Sequence, residues 1–498
     1  MAPNDDVSQT IPRRGSSRDA QRIGVLLLVG TPGTPDTLRG ARVVRLDDGV
    51  DIGRRPPTPD GRRALALPDR TVSSLHARIT RTVGADRSDV FELVDLGSTN
   101  GTYVDGQRLT GPITLRPGAL IFVGSQVMVF RLVTPIELAA VDEDIAAPFA
   151  PVATLSPALA LICSRLRRLA QSKAEIYLLG ETGVGKEIFA RGIHAASGRP
   201  GNLVAINCAA IPRELVESEL FGYEKGAHST AQGRKVGFIE SAQGGTLFLD
   251  ELGEMPGELQ PKLLRFLQDR KFSPLGSTRV IEADVRIIAA SSRAAMAKAG
   301  NVQDALVGRL GAQPVQLPAL RDRLEDVGRL VEFFLRDMRA AETGTPRTFE
   351  TEAFHALFLY GWPLNVRELQ KTVVEAEVLS RGQANIGFSH LPDSISALVE
   401  PAADVGHSSV VSATRDFPKN ADGGGVPDPA DEATTARTRR PAPTPEELTT
   451  LLRQYRGSVA HVARHLDRQY AVVWRCLQRY GINADDFRAP GGPGSENS

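Results

Sequence analysis

Gly180-Glu181-Thr182-Gly183-Val184-Gly185-Lys186 is the stretch on which the reading of this chain turns. Its three glycines let the backbone bend tightly, so that successive N–H groups can face phosphate oxygens. Lys186 adds a point charge placed for the β/γ-phosphates. Downstream, the apolar run Thr246–Leu249 delivers Asp250 and Glu251 to a strand end. There Asp250 is the candidate magnesium partner, and Glu251 the candidate base that orients an attacking water. A glycine-rich turn and an acidic strand end are each ordinary alone. Both in this order, at domain-scale spacing, predict an ATP-binding core. Position 187 holds Glu where the general motif has a magnesium-binding Ser or Thr.

Working outward, residues 153–395 alternate strand and helix patterns, the signature of a parallel α/β sheet. The end of this block, from Glu325 onward, has helical periodicity and predicts a lid. Upstream, residues 21–132 are short β-type runs (Val25–Val29, Ala41–Leu46, Phe91–Val94, Ile121–Val123, Val127–Arg131). Turn pairs such as Asn100-Gly101 and Asp105-Gly106 separate them, which predicts an all-β sandwich. Residues 133–152, rich in Pro, Ala and acid, read as a linker. Residues 396–443 carry few large apolar side chains and read as a flexible linker. Residues 444–488 return to helical periodicity. Residues 1–20 and 489–498 read as a disordered leader and tail.

The 498 residues carry 59 Lys+Arg and 59 Asp+Glu. A balanced chain needs a local basic patch for any nucleic-acid affinity. One exists: residues 453–480 hold six arginines (453, 456, 464, 468, 475, 479) and one acid, Asp467. Three widely spaced cysteines, Cys163, Cys208 and Cys476, give neither a disulfide framework nor metal-ligand spacing. The first twenty residues lack a signal-peptide core, and no apolar run approaches the roughly 20 residues that span a bilayer. The expectation is a cytoplasmic protein without a membrane partner.

The central block resembles the AAA+ sigma-54 interaction domain of bacterial enhancer-binding proteins, on Gly180–Lys186, Glu187, Asp250-Glu251 and Glu219-Leu-Phe-Gly-Tyr-Glu-Lys-Gly-Ala227. Gly-Lys-Glu is that family's usual form. The resemblance implies ATP and Mg as cofactors, and a ring of identical subunits. It implies that Asn207 is a polar switch restraining Glu251. It also implies that Arg309 is an arginine finger reaching a neighbour's site, and that Arg367 is a lid arginine sensing the γ-phosphate. The family's target-contacting loop, Gly-Ala-Phe-Thr-Gly-Ala, is here Gly226-Ala227-His228-Ser229-Thr230-Ala231. Imidazole replaces an aromatic contact surface, and β-branched Thr230 disfavours the positive φ that Gly permits. Gln303 stands at the usual first arginine finger, Ser291-Ser292 at the first sensor, and Leu364 where a Gly is usual.

The amino-terminal sandwich resembles a forkhead-associated domain through Gly53-Arg54, Ser73-Ser74-Leu75-His76 and Asp95-Leu-Gly-Ser-Thr-Asn-Gly-Thr102. The resemblance implies phosphothreonine recognition. Arg54 would be a bidentate phosphate donor, with Ser73, Ser74 and Thr99 as loop contacts and Asn100 on the peptide backbone. His76 would brace the loops. The carboxy-terminal module resembles a Fis-type helix-turn-helix, which implies DNA as a partner. Gln469, Tyr470, Val472, Arg475 and Arg479 would face the groove and its phosphates.

The expected architecture is therefore an all-β forkhead-associated sandwich, an α/β AAA+ P-loop ATPase with helical lid, and an all-α helix-turn-helix. The expected function is an ATP-dependent regulator that binds upstream DNA and remodels sigma-54 RNA polymerase under phosphopeptide control. Two alternatives stand beside it. One is an ATP- and DNA-binding regulator that does not engage sigma-54. The other is a phosphothreonine-dependent interaction hub with weak ATPase.

Overall fold

The computed structural model describes residues 22–33, 43–57, 63–84, 88–227, 231–292, 304–311, 314–339, 347–396, 398, 444–454 and 462. Two compact units divide the chain, Met1–Leu391 and Pro392–Ser498.

The first unit opens with a sandwich of two sheets. One runs in the order Val43–Arg45, Ile23–Gly30, Gln126–Val133, Leu120–Val123, Thr102–Val104, Gln107–Arg108. The other runs Arg63–Ala66, Val50–Gly53, Ala77–Val83, Asp89–Asp95, Ile113–Thr114. Alternation places Leu26, Leu28, Ile52, Ile79, Leu93, Met128 and Phe130 in the space between the sheets. Strand Ile23–Gly30 breaks that pattern. Its other face, Val25, Leu27 and Val29, is equally buried. The strand contacts the turn Leu324–Asp326 and the helix Val327–Arg339 of the next domain. A run apolar on both faces is what a strand covered on both sides requires. Removing those three side chains from water contributes about 1.5–3 kcal/mol each.

The stretch 133–152 differs from its reading as a linker. It contains the helix Pro135–Ala146, which packs on the helix Pro157–Ala170. A capping box starts it. The Thr134 hydroxyl accepts from Glu137 N at 3.2 Å, and the Glu137 carboxylate accepts from Thr134 N at 2.7 Å. The signature Thr134-Pro-Ile-Glu137 was present in sequence, but the Ala- and acid-rich composition obscured it. Near the helix end, buried Asp144 accepts from Phe149 N, Thr154 N and the Arg167 guanidinium at 3.1, 2.9 and 3.0 Å. Those bonds fold the chain back onto the α/β domain.

That domain holds five parallel strands in the order Leu203–Asn207, Thr246–Asp250, Arg286–Ser291, Ile176–Leu179, Val315–Gln316. Tyr177, Leu247, Leu249, Ile287 and Ala289 face one core. Ile176, Leu178, Phe248, Ile288 and Ala290 face the other. Both faces are covered, as helical crossovers require. Helices Val327–Arg339, Thr351–Leu359 and Asn365–Leu379 follow the sheet, where a helical lid was expected. In the second unit, helix Pro445–Gln454 begins with Thr444, whose hydroxyl accepts from Glu447 N at 3.3 Å. Among the described residues, no helix is long and apolar enough to cross a membrane.

Candidate functional site

Strand Ile176–Leu179 lies between Arg286–Ser291 and Val315–Gln316, and the phosphate-binding loop leaves its carboxyl end. Loops at such strand ends are where open α/β sheets hold ligands. Gly183 (φ +80°) and Gly185 (φ +103°) adopt left-handed conformations, and Gly185 caps the helix Lys186–Ser197. At Gly183 a Cβ would sit 2.1 Å from Leu364 O, so no side chain fits. Alternating left-handed residues ahead of a helix N-terminus form an anion-binding concavity, and the loop fits a nucleotide's phosphates.

Lys186 is buried at 6 % exposure, with Nζ 3.3 Å from Gly180 O and 3.4 Å from Glu251 Oε1. Residues 65 positions apart in the chain therefore meet at one point. Glu251 is held in a left-handed conformation, φ 49°. Its Oε2 accepts from Ser292 N at 3.4 Å, and its own N–H bonds Asp250 Oδ1 at 3.0 Å. Ser291 Oγ accepts from Gly253 N at 3.2 Å, which ties the same turn to the neighbouring strand. Burial pushes the Asp250 carboxyl above its ordinary value, against the pull of Lys186. A divalent cation would reverse that shift. One carboxylate is the protein share usual for magnesium shared with phosphates, so Asp250 fits the metal. No group of three or more potential ligands occurs among the described residues.

Asn207 pairs in register with Asp250, and its side chain accepts from Ala209 N at 2.9 Å. It caps a short turn beside the acidic strand end, while Lys186 and Ser292 are the partners seen on the Glu251 carboxylate. Arg367 sits at the lip of the loop, its N–H bonded to Gly183 O at 3.3 Å and its side chain exposed. Arg309 is exposed and donates to Leu267 O at 3.1 Å, on the helix Asp304–Leu310. Glu187 pairs with Arg191 on the surface.

Sequence reading missed three residues around the loop. Arg321 forks onto Glu181, Nη1 to Oε2 at 2.8 Å and Nη2 to Oε1 at 2.5 Å. Buried Asn365 (φ 57°) donates to Glu181 Oε2 at 3.2 Å and Thr182 O at 3.0 Å, and accepts from Leu320 N at 2.8 Å. Arg323 donates to Val184 O at 3.0 Å. All three lie far from the loop in sequence. Only the acidic second residue of the loop, Glu181, hinted that a cation must meet it.

The stretch Gly226–Ala231, where the resemblance places a target-contacting loop, is described only at its neck. Gly226 N bonds Ala231 O at 3.0 Å, and Glu224 N bonds Leu275 O at 3.0 Å. Gly276 abuts Ala227, leaving no room there for a Cβ. His228, Ser229 and Thr230 lie outside the described residues, as does Gln303.

At one end of the sandwich the three forkhead-type motifs converge. Arg54 N bonds Ser73 O at 2.8 Å, and a Cβ at Gly53 would stand 2.3 Å from Ser74 O. The glycine before Arg54 is thus required by close approach of the two loops. Ser73 Oγ accepts from Thr99 N at 3.1 Å and lies 3.4 Å from Thr99 Oγ1. Asn100 donates to Thr71 O at 2.7 Å, and Arg54, Ser74, Thr99 and Asn100 are all exposed. Beneath them, buried His76 Nδ1 accepts from Ser73 N at 3.1 Å, so Nε2 carries the proton toward Gly101 O at 3.2 Å.

The organiser is Asp95. Its carboxylate accepts from Gly97 N, Ser98 N, Ser98 Oγ and Thr102 Oγ1 at 2.9, 2.8, 2.6 and 2.6 Å. Burial alone would raise its pKa. The Ser98 and Thr102 hydroxyls, with the Ser98 N–H and nearby His76, together outweigh burial and hold it below the usual range.

Comparison with known proteins agrees with this arrangement. The FHA domain description matches residues 50–124, the sigma-54 interaction domain residues 152–316, and the AAA+ ATPase lid domain residues 321–406. The transcriptional regulatory protein GlrR of Escherichia coli (strain K12) is 37% identical over 346 residues, 68% of this chain and 69% of its own. The chain belongs to the family of sigma-54-interacting transcriptional regulators. FlbD of Caulobacter vibrioides, another transcriptional regulatory protein, is 40% identical over 272 residues, 54% of this chain and 58% of its own. Crystalline NtrX from Brucella abortus with ADP matches 70% of this chain and 73% of that one, at 29% identity and TM-score 0.46. The expected groove residues Gln469, Tyr470, Val472, Arg475 and Arg479 lie outside the described residues.

Proposed function

We propose that this chain is an ATP-dependent transcription regulator of the cytoplasm. On this reading it binds upstream DNA through residues 444–488, assembles as a ring, and acts on sigma-54 RNA polymerase under phosphothreonine control. The observation that carries the nucleotide part is the meeting of Lys186 Nζ with Glu251 Oε1, 3.4 Å apart at the mouth of the phosphate-binding loop. Lys186 would meet the β/γ-phosphates and Asp250 would hold magnesium. Glu251 would take a proton from the attacking water. Arg309 is exposed and bonds Leu267 O of its own subunit, and exposure is what a residue acting on a neighbour needs. Arg54, Ser73 and Thr99 gather at one exposed end, as capture of a single phosphate by an arginine and hydroxyls requires. The deciding experiment is open-complex formation with purified sigma-54 polymerase, ATP and a supercoiled template carrying a matched promoter. No open complex, with ATP turnover intact, would reject sigma-54 activation.

A second reading has its own support. His228 and Thr230 replace the aromatic and the glycine of the contact loop, and Gln303 replaces a charged finger. A regulator that binds ATP and DNA without engaging sigma-54 fits those three changes. The intact Lys186, Asp250 and Glu251 speak against a hub with only weak ATPase. DNA binding is tested by footprinting and its salt dependence. Arg475→Ala should weaken it, and a chain ending at about residue 440 should lose the footprint.

A further inference from the structure

Arg131 belongs to the sandwich, on strand Gln126–Val133, yet its guanidinium leaves that domain. Nη2 donates to Glu325 Oε2 at 2.8 Å and to Asp322 O at 3.0 Å. Glu325 is fully buried. These two acceptors belong to the short segment Leu320–Asp326, which also carries Arg321 and Arg323. Arg321 forks onto Glu181, and Arg323 donates to Val184 O. Both of those are phosphate-binding loop residues. One side of the segment is therefore held by the sandwich, and the other side holds the loop.

The segment has little backbone rigidity of its own. It consists of two consecutive 3₁₀ turns, Leu320–Asp322 and Leu324–Asp326. Such turns have poorer hydrogen-bond geometry than an α-helix, so side-chain anchors set its path. Asp326 anchors it to the start of the α/β domain, through Thr154 Oγ1 and Leu155 N, both at 2.7 Å. Arg131 is the anchor from the opposite domain. The same sandwich also meets the lid, where the Phe122 and His355 rings lie 4.6 Å apart. Buried Val25, Leu27 and Val29 complete the seam.

We propose that Arg131 is a positioning residue for the nucleotide site, acting from a separate domain. It fixes Glu325 and Asp322, which set Arg321 and Arg323, which shape the phosphate-binding loop. The proposal rests on the reading of that loop as a nucleotide site. An arginine fork loses its directional bonds when the segment beneath it shifts. The sandwich thus contributes to nucleotide affinity without touching nucleotide.

The test uses the full chain and a fluorescent ATP analogue, with Lys186→Ala as the non-binding control. Arg131→Met keeps the stem and removes the charge. It should weaken nucleotide binding by roughly three- to thirtyfold, the range of couplings carried by residues outside a ligand site. In turnover, KM should rise while kcat stays within about twofold. Arg131→Lys should restore part of the affinity. In an Arg321→Met background, Arg131→Met should change affinity clearly less than in wild type, because the fork onto Glu181 is gone and only the Arg323 bond to Val184 O remains of the relay. An Arg131→Met chain with a lower melting temperature but unchanged affinity makes the contact mere glue, and overturns the proposal. So does an equal loss of affinity in both backgrounds. A wild-type chain that binds the analogue no better than Lys186→Ala removes the nucleotide reading, and this proposal with it.

Discussion

Lys186 Nζ lies 3.4 Å from Glu251 Oε1, so the cation placed for phosphates and the carboxylate placed for water share one contact. Two different losses are expected from cutting it on either side. Lys186→Ala should abolish nucleotide binding in a fluorescence titration. Glu251→Gln should keep binding and lower turnover by about 10²- to 10⁴-fold, the span usual for a positioned general base. If Glu251→Gln hydrolyses ATP like wild type, Glu251 is not the base.

The forkhead-type end should lose phosphothreonine binding in two separable ways. Arg54→Ala removes an exposed side chain and should leave the melting temperature of the full chain within a degree or two. Asp95→Ala instead strands two N–H groups and two hydroxyls. An unsatisfied group costs about 1–3 kcal/mol when buried, and these are partly solvated. A total of about 2–3 kcal/mol is expected by denaturant titration. Phosphopeptide binding that ignores Arg54→Ala, or an Asp95→Ala chain as stable as wild type, would refute the respective assignment.

The seam between sandwich and lid should be acid-sensitive through His355. Burial holds its pKa down to about 4, and its Nε2 is sealed from solvent with no partner. A histidine depressed in the folded state binds fewer protons there than when unfolded. Stability is therefore complete above pH 6.5 and is lost as pH falls toward 4. The shift corresponds to at most about 3 kcal/mol. Asp326 opposes it, since burial raises its carboxyl to about 6 and favours the fold at low pH. The difference between wild type and His355→Phe isolates the histidine. His355→Phe should flatten the loss between pH 6.5 and 4, and parallel pH profiles for the two chains would rule the histidine out.

Restoring the contact loop should raise sigma-54 capture. The triple change His228→Phe, Ser229→Thr and Thr230→Gly returns an aromatic surface and a residue free to take positive φ. Capture is read by co-migration with purified sigma-54 and an ATP transition-state analogue. Equal capture by the native loop would make the substitutions neutral and leave activator function intact. No capture by either loop would favour the sigma-54-independent reading.

The parts that rest on local backbone chemistry were legible in the residues alone. The glycines of Gly180–Lys186 announce a tight bend by themselves, and Thr246–Leu249 needs only its apolar run to place Asp250 and Glu251 at a strand end. The forkhead motif at Asp95 was legible for the same reason, because Asp95 organises the loop beside it. Even the capping box Thr134–Glu137 was written in four residues, though composition masked it. What only the tertiary structure decided joins residues far apart. Glu181 meets Arg321 across 140 positions and Asn365 across 184, and Arg131 meets Glu325 across 194. A sequence pattern reports which side chains can pair, through charge and hydrogen-bonding capacity. Which arginine meets which carboxylate is set by how the sheet, lid and sandwich pack, and packing is a property of the whole chain's buried surface.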